Sequence, residues 1–209
     1  MDRDDVGLSE SIDRIYSAVG RPHQWPDAIH AVCAATGANS GCLVSALNDH
    51  TSGNVGSFHN IDPSWIEAYN THFHQLDPTV RLLAREPGRV HVDHVTGPRP
   101  AECRGAARAF YHEVMVPQGF RHTLHLGLST QTGWAASVVL QRPERRGPFG
   151  RRDVHTLDQL ARQLRRALQL HAELMTQGAL RRGFSTALDH VPMGVLLLDG
   201  RGQVVHHND

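Results

Sequence analysis

One apolar stripe near the end of the chain constrains the fold more than any other feature. Val154, Leu157, Leu160, Leu164, Leu168 and Met175 recur at steps of three, four or seven, with Ala161 and Leu174 beside them. That spacing lines one face of an α-helix. Gly147-Pro148 is a breaker just ahead of Phe149, so the pattern predicts a long helix over residues 149–182. Arg151, Arg152, Arg162, Arg165, Arg166, Arg181 and Arg182 fill the other positions. Such a helix suits the last core element of a domain, its arginines in water. It equally suits a connector between a sensing part and what the sensing controls, with Leu157, Leu164, Leu168 and Met175 forming a seam between two copies. The two uses are compatible.

Ahead of this helix the pattern alternates between types. Ser9 or Ser11 is placed to cap a first helix carrying Ile12, Ile15, Tyr16 and Val19 on one face. Trp25-Pro26 opens a second helix, with Ile29, Val32 and Cys33 inward, and Gly37 closes it. Residues 42–47 and 55–61 read as a strand pair, and residues 122–129 and 134–141 as a hairpin across Thr132-Gly133. A helix from Asp62-Pro63-Ser64 runs through Trp65, Ile66, Tyr69 and Phe73, and further helices are predicted over residues 79–85 and 106–115. A short strand lies near residues 89–92. After Gly183 a short helix leads into two strands joined at Asp199-Gly200-Arg201-Gly202. This is an α+β order: an antiparallel sheet with flanking helices, an arrangement that GAF and PAS sensors share with other α+β domains, then a long connector, then the start of a second unit. The expected divisions are residues 1–148, 149–182 and 183–209.

The 209 residues suffice for one domain with a sizeable core and part of another. No apolar run reaches membrane-spanning length and the acidic N-terminus lacks the apolar core of a secretion signal, so a cytoplasmic, non-membrane protein is expected. Cys33, Cys42 and Cys103, odd in number and without close spacing, suit reduced thiols. Residues 1–80 carry ten acids against three arginines, and residues 142–182 carry ten arginines against four acids. The basic segment is a solvated helix face, a partner for the acidic half, or a nucleic-acid contact. Every strong base is arginine; there is no lysine. That excludes a P-loop, a protein kinase and Schiff-base chemistry, each of which needs a lysine amine.

Candidate chemistry is sparse. Trp65, Tyr69 and Phe73 fall at i, i+4 and i+8, and Asp77-Pro78 follows. Aromatic walls with one oriented acid hold an apolar ligand and read one polar group; the plainer alternative is core aromatics with Asp77 capping the next helix. Histidine pairs occur at His72 and His74, His91 and His94, His122 and His125, and His206 and His207. No pair stands beside a further ligand at zinc-site spacing, so no metal or cofactor is expected, and the histidines are expected at the surface. Cys33 and Cys42 read as buried, small apolar side chains. Cys103 lies near Arg104 in a polar stretch with no acid–base pair to serve it, and no Gly-x-Ser-x-Gly elbow exists, so no enzyme is expected.

Between residues 65 and 167 the chain resembles the ligand-sensing half of LuxR-type transcriptional regulators, particularly a broad GAF-like group. The matching pieces are Tyr69, Phe73 with Asp77-Pro78, Gly88, Phe110-Tyr111-x5-Pro117-x-Gly119, and Arg142-x4-Gly147-Pro148-Phe149-x3-Asp153. Leu157, Leu160, Leu164 and Arg166-Ala167-Leu168 follow. The run from Ala187-Leu188-Asp189-His190-Val191-Pro192 to Asn208 is similar to the start of the PAS-like segment that often comes next. In the acyl-homoserine-lactone branch, a Trp and a Tyr four apart and a later Asp bind the ligand. Trp65, Tyr69 and Asp77 match, with Asp77 one residue nearer than is usual there. The resemblance implies a sensory region: a small molecule binds, a homodimer forms, and the long helix passes the change onward. Family members touch DNA through a C-terminal helix-turn-helix, which these residues do not include. The rival reading is a ligand-free dimerisation or protein-interaction module.

Overall fold

Alternation sets the sheet. Leu124, Leu126 and Leu128 on one strand and Ala136, Val138 and Leu140 on the next are all buried on the same side, as a period of two requires. A computed structural model of the chain describes residues 3–47, 55–77, 89–92, 105–129 and 134–208. Its five-stranded antiparallel sheet has the order β2-β1-β5-β4-β3, with β1 at Ser40–Leu47, β2 at Val55–His59, β3 at Val90–Val92, β4 at His122–Ser129 and β5 at Trp134–Arg142. Helices α1 (Arg3–Ser17) and α2 (Trp25–Thr36) pack on one face together with the long helix α5 (Arg151–Asp189). On the other face lie α3 (Pro63–Thr71) and α4 (Ala106–Phe110), the latter continuing as a π turn over Tyr111–Met115. The expected α+β sheet with flanking helices and a long C-terminal helix is what the chain forms.

The core fills the space between the sheet and α1, α2 and α5. Ile15, Ile29, Val32, Leu43, Leu126, Val138, Leu140, Phe149, Leu157 and Leu164 belong to one buried cluster. Gly41 lets α2 approach β1: a Cβ there would stand 2.7 Å from Cys33 Sγ and 2.8 Å from Leu140 Cδ2. Arg142 ties three elements at one corner. Its guanidinium donates to the carbonyls of Thr36 and Gly37 at the end of α2 and of Pro148, pairs with Asp153 at 3.1 Å, and lies 4.0 Å from the Phe149 ring centre. Asp153 in turn accepts from Gly150 N at 2.8 Å and so caps α5. The spacing Arg142-x4-Gly147-Pro148-Phe149-x3-Asp153 is thus one packed corner.

Several expectations need correction. Leu157 and Leu164 are 0 % exposed and Leu168 is buried too, so these three serve the chain's own core and no seam between copies can use them. Met175 is exposed. Helix α5 continues through Gly178 and Gly183 to Asp189, because a glycine in a helix costs only about 1 kcal/mol relative to alanine. Ser9 and Ser11 lie inside α1, whose first residue is Arg3. Ser11 donates back to Gly7 O and across to Ala31 O, stapling α1 to α2. The helix of residues 79–85 lies outside the described residues.

Beyond α5, strands β6 (Leu196–Leu198) and β7 (Val204–His207) form a hairpin. Asn208 holds it to the helix end: its side chain accepts from Val195 N and donates to the carbonyls of Leu188, Val191 and Met193. His206 and Asp189 make a second tie at 3.3 Å. Leu196, Leu197, Leu198, Val204 and Val205 are all exposed.

Candidate functional site

Asp62 starts α3 by accepting from the backbone and hydroxyl of Ser64, with Pro63 in the first turn. The helix carries Trp65 and Tyr69 half-buried, one turn apart. It ends at Thr71; His72 leaves helical geometry and a 3-10 turn, Phe73–Gln75, follows. Phe73 therefore does not continue the face of Trp65 and Tyr69, contrary to the i, i+4, i+8 expectation. It stacks edge-on against His72, ring centres 5.0 Å apart.

The turn brings Asp77 back to the helix. Tyr69 OH donates to Asp77 Oδ2 at 2.8 Å, and His74 Nδ1 lies 3.2 Å from Tyr69 O. The Tyr69 ring meets Phe110 of α4 edge-on, centres 6.3 Å apart. So Tyr69 and Asp77, an acid and an aromatic picked out from the sequence, do come together. Trp65 is a turn away, and the third wall is Phe110.

Beneath this pair is Cys42. Its neighbours Gly41 and Leu43 face the core, so Cys42 faces the other way, towards Asp77. Burial pushes its thiol up to about 12, and the nearby Asp77 charge adds to the rise, against a backbone hydrogen bond at Val139. The Tyr69 phenol is likewise raised, first by burial and then by Asp77. Both groups are protonated at neutral pH. The site thus offers a carboxyl oriented by a phenol, a neutral thiol and aromatic walls. It can bind an amphipathic small molecule and read one polar group. A protonated thiol is no nucleophile, and Cys33, also pushed to about 12 by burial, is inert inside the core. Cys103 lies outside the described residues.

Sequence reasoning missed Cys42, Phe110 and the imidazoles at this face. His91 and His125 are buried and paired across β3 and β4, and His171 is buried on α5, so the expectation of surface histidines fails for these three. Alternation along β4 would have found His125, because Leu124 and Leu126 claim the opposite side. Among the described residues no group of three or more His, Cys, Asp or Glu is placed to hold a metal, and no helix is long and apolar enough to cross a membrane. A separate groove of about 850 Å³ lies between α1, α2 and the start of α5. Its lining mixes Glu10 and Asp27 with Arg14 and Arg152 over Ala31 and Ala34, so no single charge selects a ligand there.

No protein-family model and no curated protein matches the sequence. Solved structures do match the fold. The N-acylhomoserine-lactone-dependent LuxR-family transcription factor CepR2 from Burkholderia cenocepacia superimposes with a TM-score of 0.62 at 21 % identity, covering 85 % of this chain and 99 % of that one. The VqsR ligand-binding domain from Pseudomonas aeruginosa gives 0.60 at 14 %, over 79 % and 96 %. The GAF domain of a phosphoenolpyruvate-protein phosphotransferase from Coxiella burnetii gives 0.59 at 14 %, over 85 % and 99 %. At these identities the likeness is one of fold.

Proposed function

We propose that this chain is the sensory region of a bacterial LuxR-type transcriptional regulator. A small molecule binds between the sheet and the α3–α4 side, Asp77 and Tyr69 anchor it, and α5 carries the change onward. The observation that carries this reading is the Tyr69–Asp77 hydrogen bond above Cys42, with Phe110 as the neighbouring wall. A carboxyl held by a phenol in a half-buried aromatic setting is built to accept a hydrogen bond from a ligand N–H or O–H. The match in fold to the LuxR-family factor CepR2 and to the VqsR ligand-binding domain supports it. The chain binds and does not catalyse. It works in the cytoplasm as a homodimer, and the β6–β7 hairpin opens a PAS-like unit. DNA contact belongs to a helix-turn-helix outside these residues.

The test is a thermal-shift screen of N-acylhomoserine lactones and other acylated amides on the parent chain and on Asp77→Ala. Stabilisers that lose at least about tenfold in affinity on that change, the worth of one charged hydrogen bond, are expected. If every stabiliser acts equally on both proteins, Asp77 is not a ligand contact.

The second reading, an interaction module without a ligand, has one observation in its favour. Leu180 and Phe184, at i and i+4 on α5, are 58 % and 70 % exposed. Phe184→Glu should then shift the sedimentation mass from dimer to monomer. A ligand-free dimer and an empty screen together would favour the module.

A further inference from the structure

Helix α5 leaves the domain at His171, its last buried residue. One turn on, Leu174 and Met175 are exposed. The exit is fastened by a polar contact. Nδ1 of His171 lies 3.1 Å from Gly20 N, in the turn after α1, and 3.3 Å from Nε1 of Trp25, the first residue of α2. The Trp25 ring meets the imidazole edge-on, centres 5.6 Å apart, and both side chains are buried. Leu174 rests on the same turn, 3.3 Å from where a Gly20 Cβ would stand. One nitrogen lone pair thus joins the α1–α2 corner to the outgoing helix. Two donors at Nδ1 require the neutral ring with its proton on Nε2. A proton arriving at Nδ1 points at two N–H groups, so both bonds are lost together, and the buried Trp25 N–H is left without its acceptor.

We propose that His171 is an acid-released latch: neutral, it clamps the α1–α2 corner to α5 where the helix leaves the core, and protonated, it lets the corner go. The latch lies on the helical side of the sheet, away from Tyr69 and Asp77, and operates whether or not a ligand binds there. The titratable groups on the neighbouring elements are in water: Asp13 and Arg14 on α1, Arg21 and His23 on the corner, Asp27 on α2 and Glu173 on α5 are all exposed. The Tyr16 hydroxyl is engaged with Gln163. Burial lowers the His171 pKa from the ordinary 6.5, and a backbone bond at Ala18 opposes it. Opening returns the ring to water and to its ordinary value. The open form therefore takes the proton first, and each step below about pH 6.5 favours opening. At about pH 5.5 an ordinary imidazole is about ten parts protonated to one neutral, so opening gains at most about tenfold over neutral pH.

The experiment is NMR on the full chain at about pH 7.5 and 5.5, either side of the ordinary imidazole value, with exchange rates corrected for intrinsic chemistry. At the higher pH the nitrogen chemical shifts of His171 should report the Nε2–H tautomer. The Gly20 amide and the Trp25 indole N–H should be less protected than the Leu126 amide in β4, since the latch opens locally. Their protection should fall by about three- to tenfold at the lower pH. In His171→Gln, which keeps an acceptor and does not titrate, it should not change. An Nδ1–H or protonated ring at the higher pH overturns the latch, as does protection independent of pH in the parent; neither arm needs a variant to fold. Protection equal to that of Leu126 at both pH values overturns it too, and leaves His171 a stability residue only. An equal fall in His171→Gln assigns the titration elsewhere and likewise overturns it.

Discussion

Removing the guanidinium of Arg142 should unfasten the corner where α2, β5 and α5 meet. In Arg142→Met the stem is retained and the charge is lost. The Thr36 carbonyl, in a buried residue, loses its side-chain donor, and Asp153 loses a partner at 3.1 Å. Gly37 O keeps the Arg146 donor at 3.2 Å, and Asp153 keeps its bond from Gly150 N. Breaking a buried ion pair from one side costs about 3–5 kcal/mol. Asp153 is 22 % exposed and still hydrogen-bonded, so the lower end, about 3 kcal/mol, is expected. For a domain of this size that lowers Tm by about 6–12 °C. Arg146→Met, whose guanidinium is exposed, is the control and should cost about 0.5 kcal/mol or less. Urea unfolding of the parent, both single variants and Arg142→Met/Asp153→Asn gives the coupling, expected at about 1–3 kcal/mol. A loss below about 1 kcal/mol in Arg142→Met, with no coupling to Asp153, would refute the corner as a source of stability.

Three more expectations follow from the packing. Gly41→Ala should destabilise by about 1–3 kcal/mol, because its Cβ would press on Cys33 and Leu140; equal or higher stability in urea would show that the core yields there. His171 accepts from Gly20 N and Trp25 Nε1 through Nδ1, and burial holds its pKa below the ordinary 6.5, a backbone bond at Ala18 pulling the other way. Below about pH 6.5 the unfolded chain binds this proton before the folded one does, so stability falls with acidification; His171→Gln should flatten the fall between pH 7.5 and 5.5, and parallel pH profiles would count against it. Asn208→Ala should speed amide exchange across Leu196–Leu198 by about tenfold or more without moving the main Tm, since the clamp is local; unchanged exchange would mean the hairpin is held some other way.

How much of this was legible depended on whether local pattern or remote pairing decided the outcome. The period of α5, the breakers around α2 and the alternation of β4 and β5 are properties of neighbouring residues, and they gave the right elements. The glycines misled. Gly183 stands where the pattern puts the end of the helix, yet neither Gly178 nor Gly183 takes a left-handed conformation, whereas Gly37, which does end α2, has φ +65°. Composition alone cannot separate these two uses of the residue. The seam on α5 failed for a related reason: a stripe shows that a face is apolar, not what covers it. The sheet covers Leu157 and Leu164, and from Leu170 onward the helix turns apolar side chains, Leu174, Leu180 and Phe184 among them, towards water.

The site was legible only where it is local. Tyr69 and Asp77 are eight residues apart and meet through one turn, so spacing foretold them. Phe110 and Cys42 enter through tertiary contacts, which no spacing encodes. Cys42 reads as a small core residue because it stands in an apolar strand; the register, not the residue type, decides that Gly41 and Leu43 take the core side. Once that side is assigned, the division follows. One face of the sheet carries the leucines and valines that pack against α1, α2 and α5. The other mixes Phe58, Val44 and Val139 with a thiol, a serine, two imidazoles and a threonine, polar groups that contribute little to a core. A sheet that needs only one face for stability leaves the second free to specialise. Substitutions at Asp77 should therefore act on binding, while those at Leu43 or Val138 act on folding.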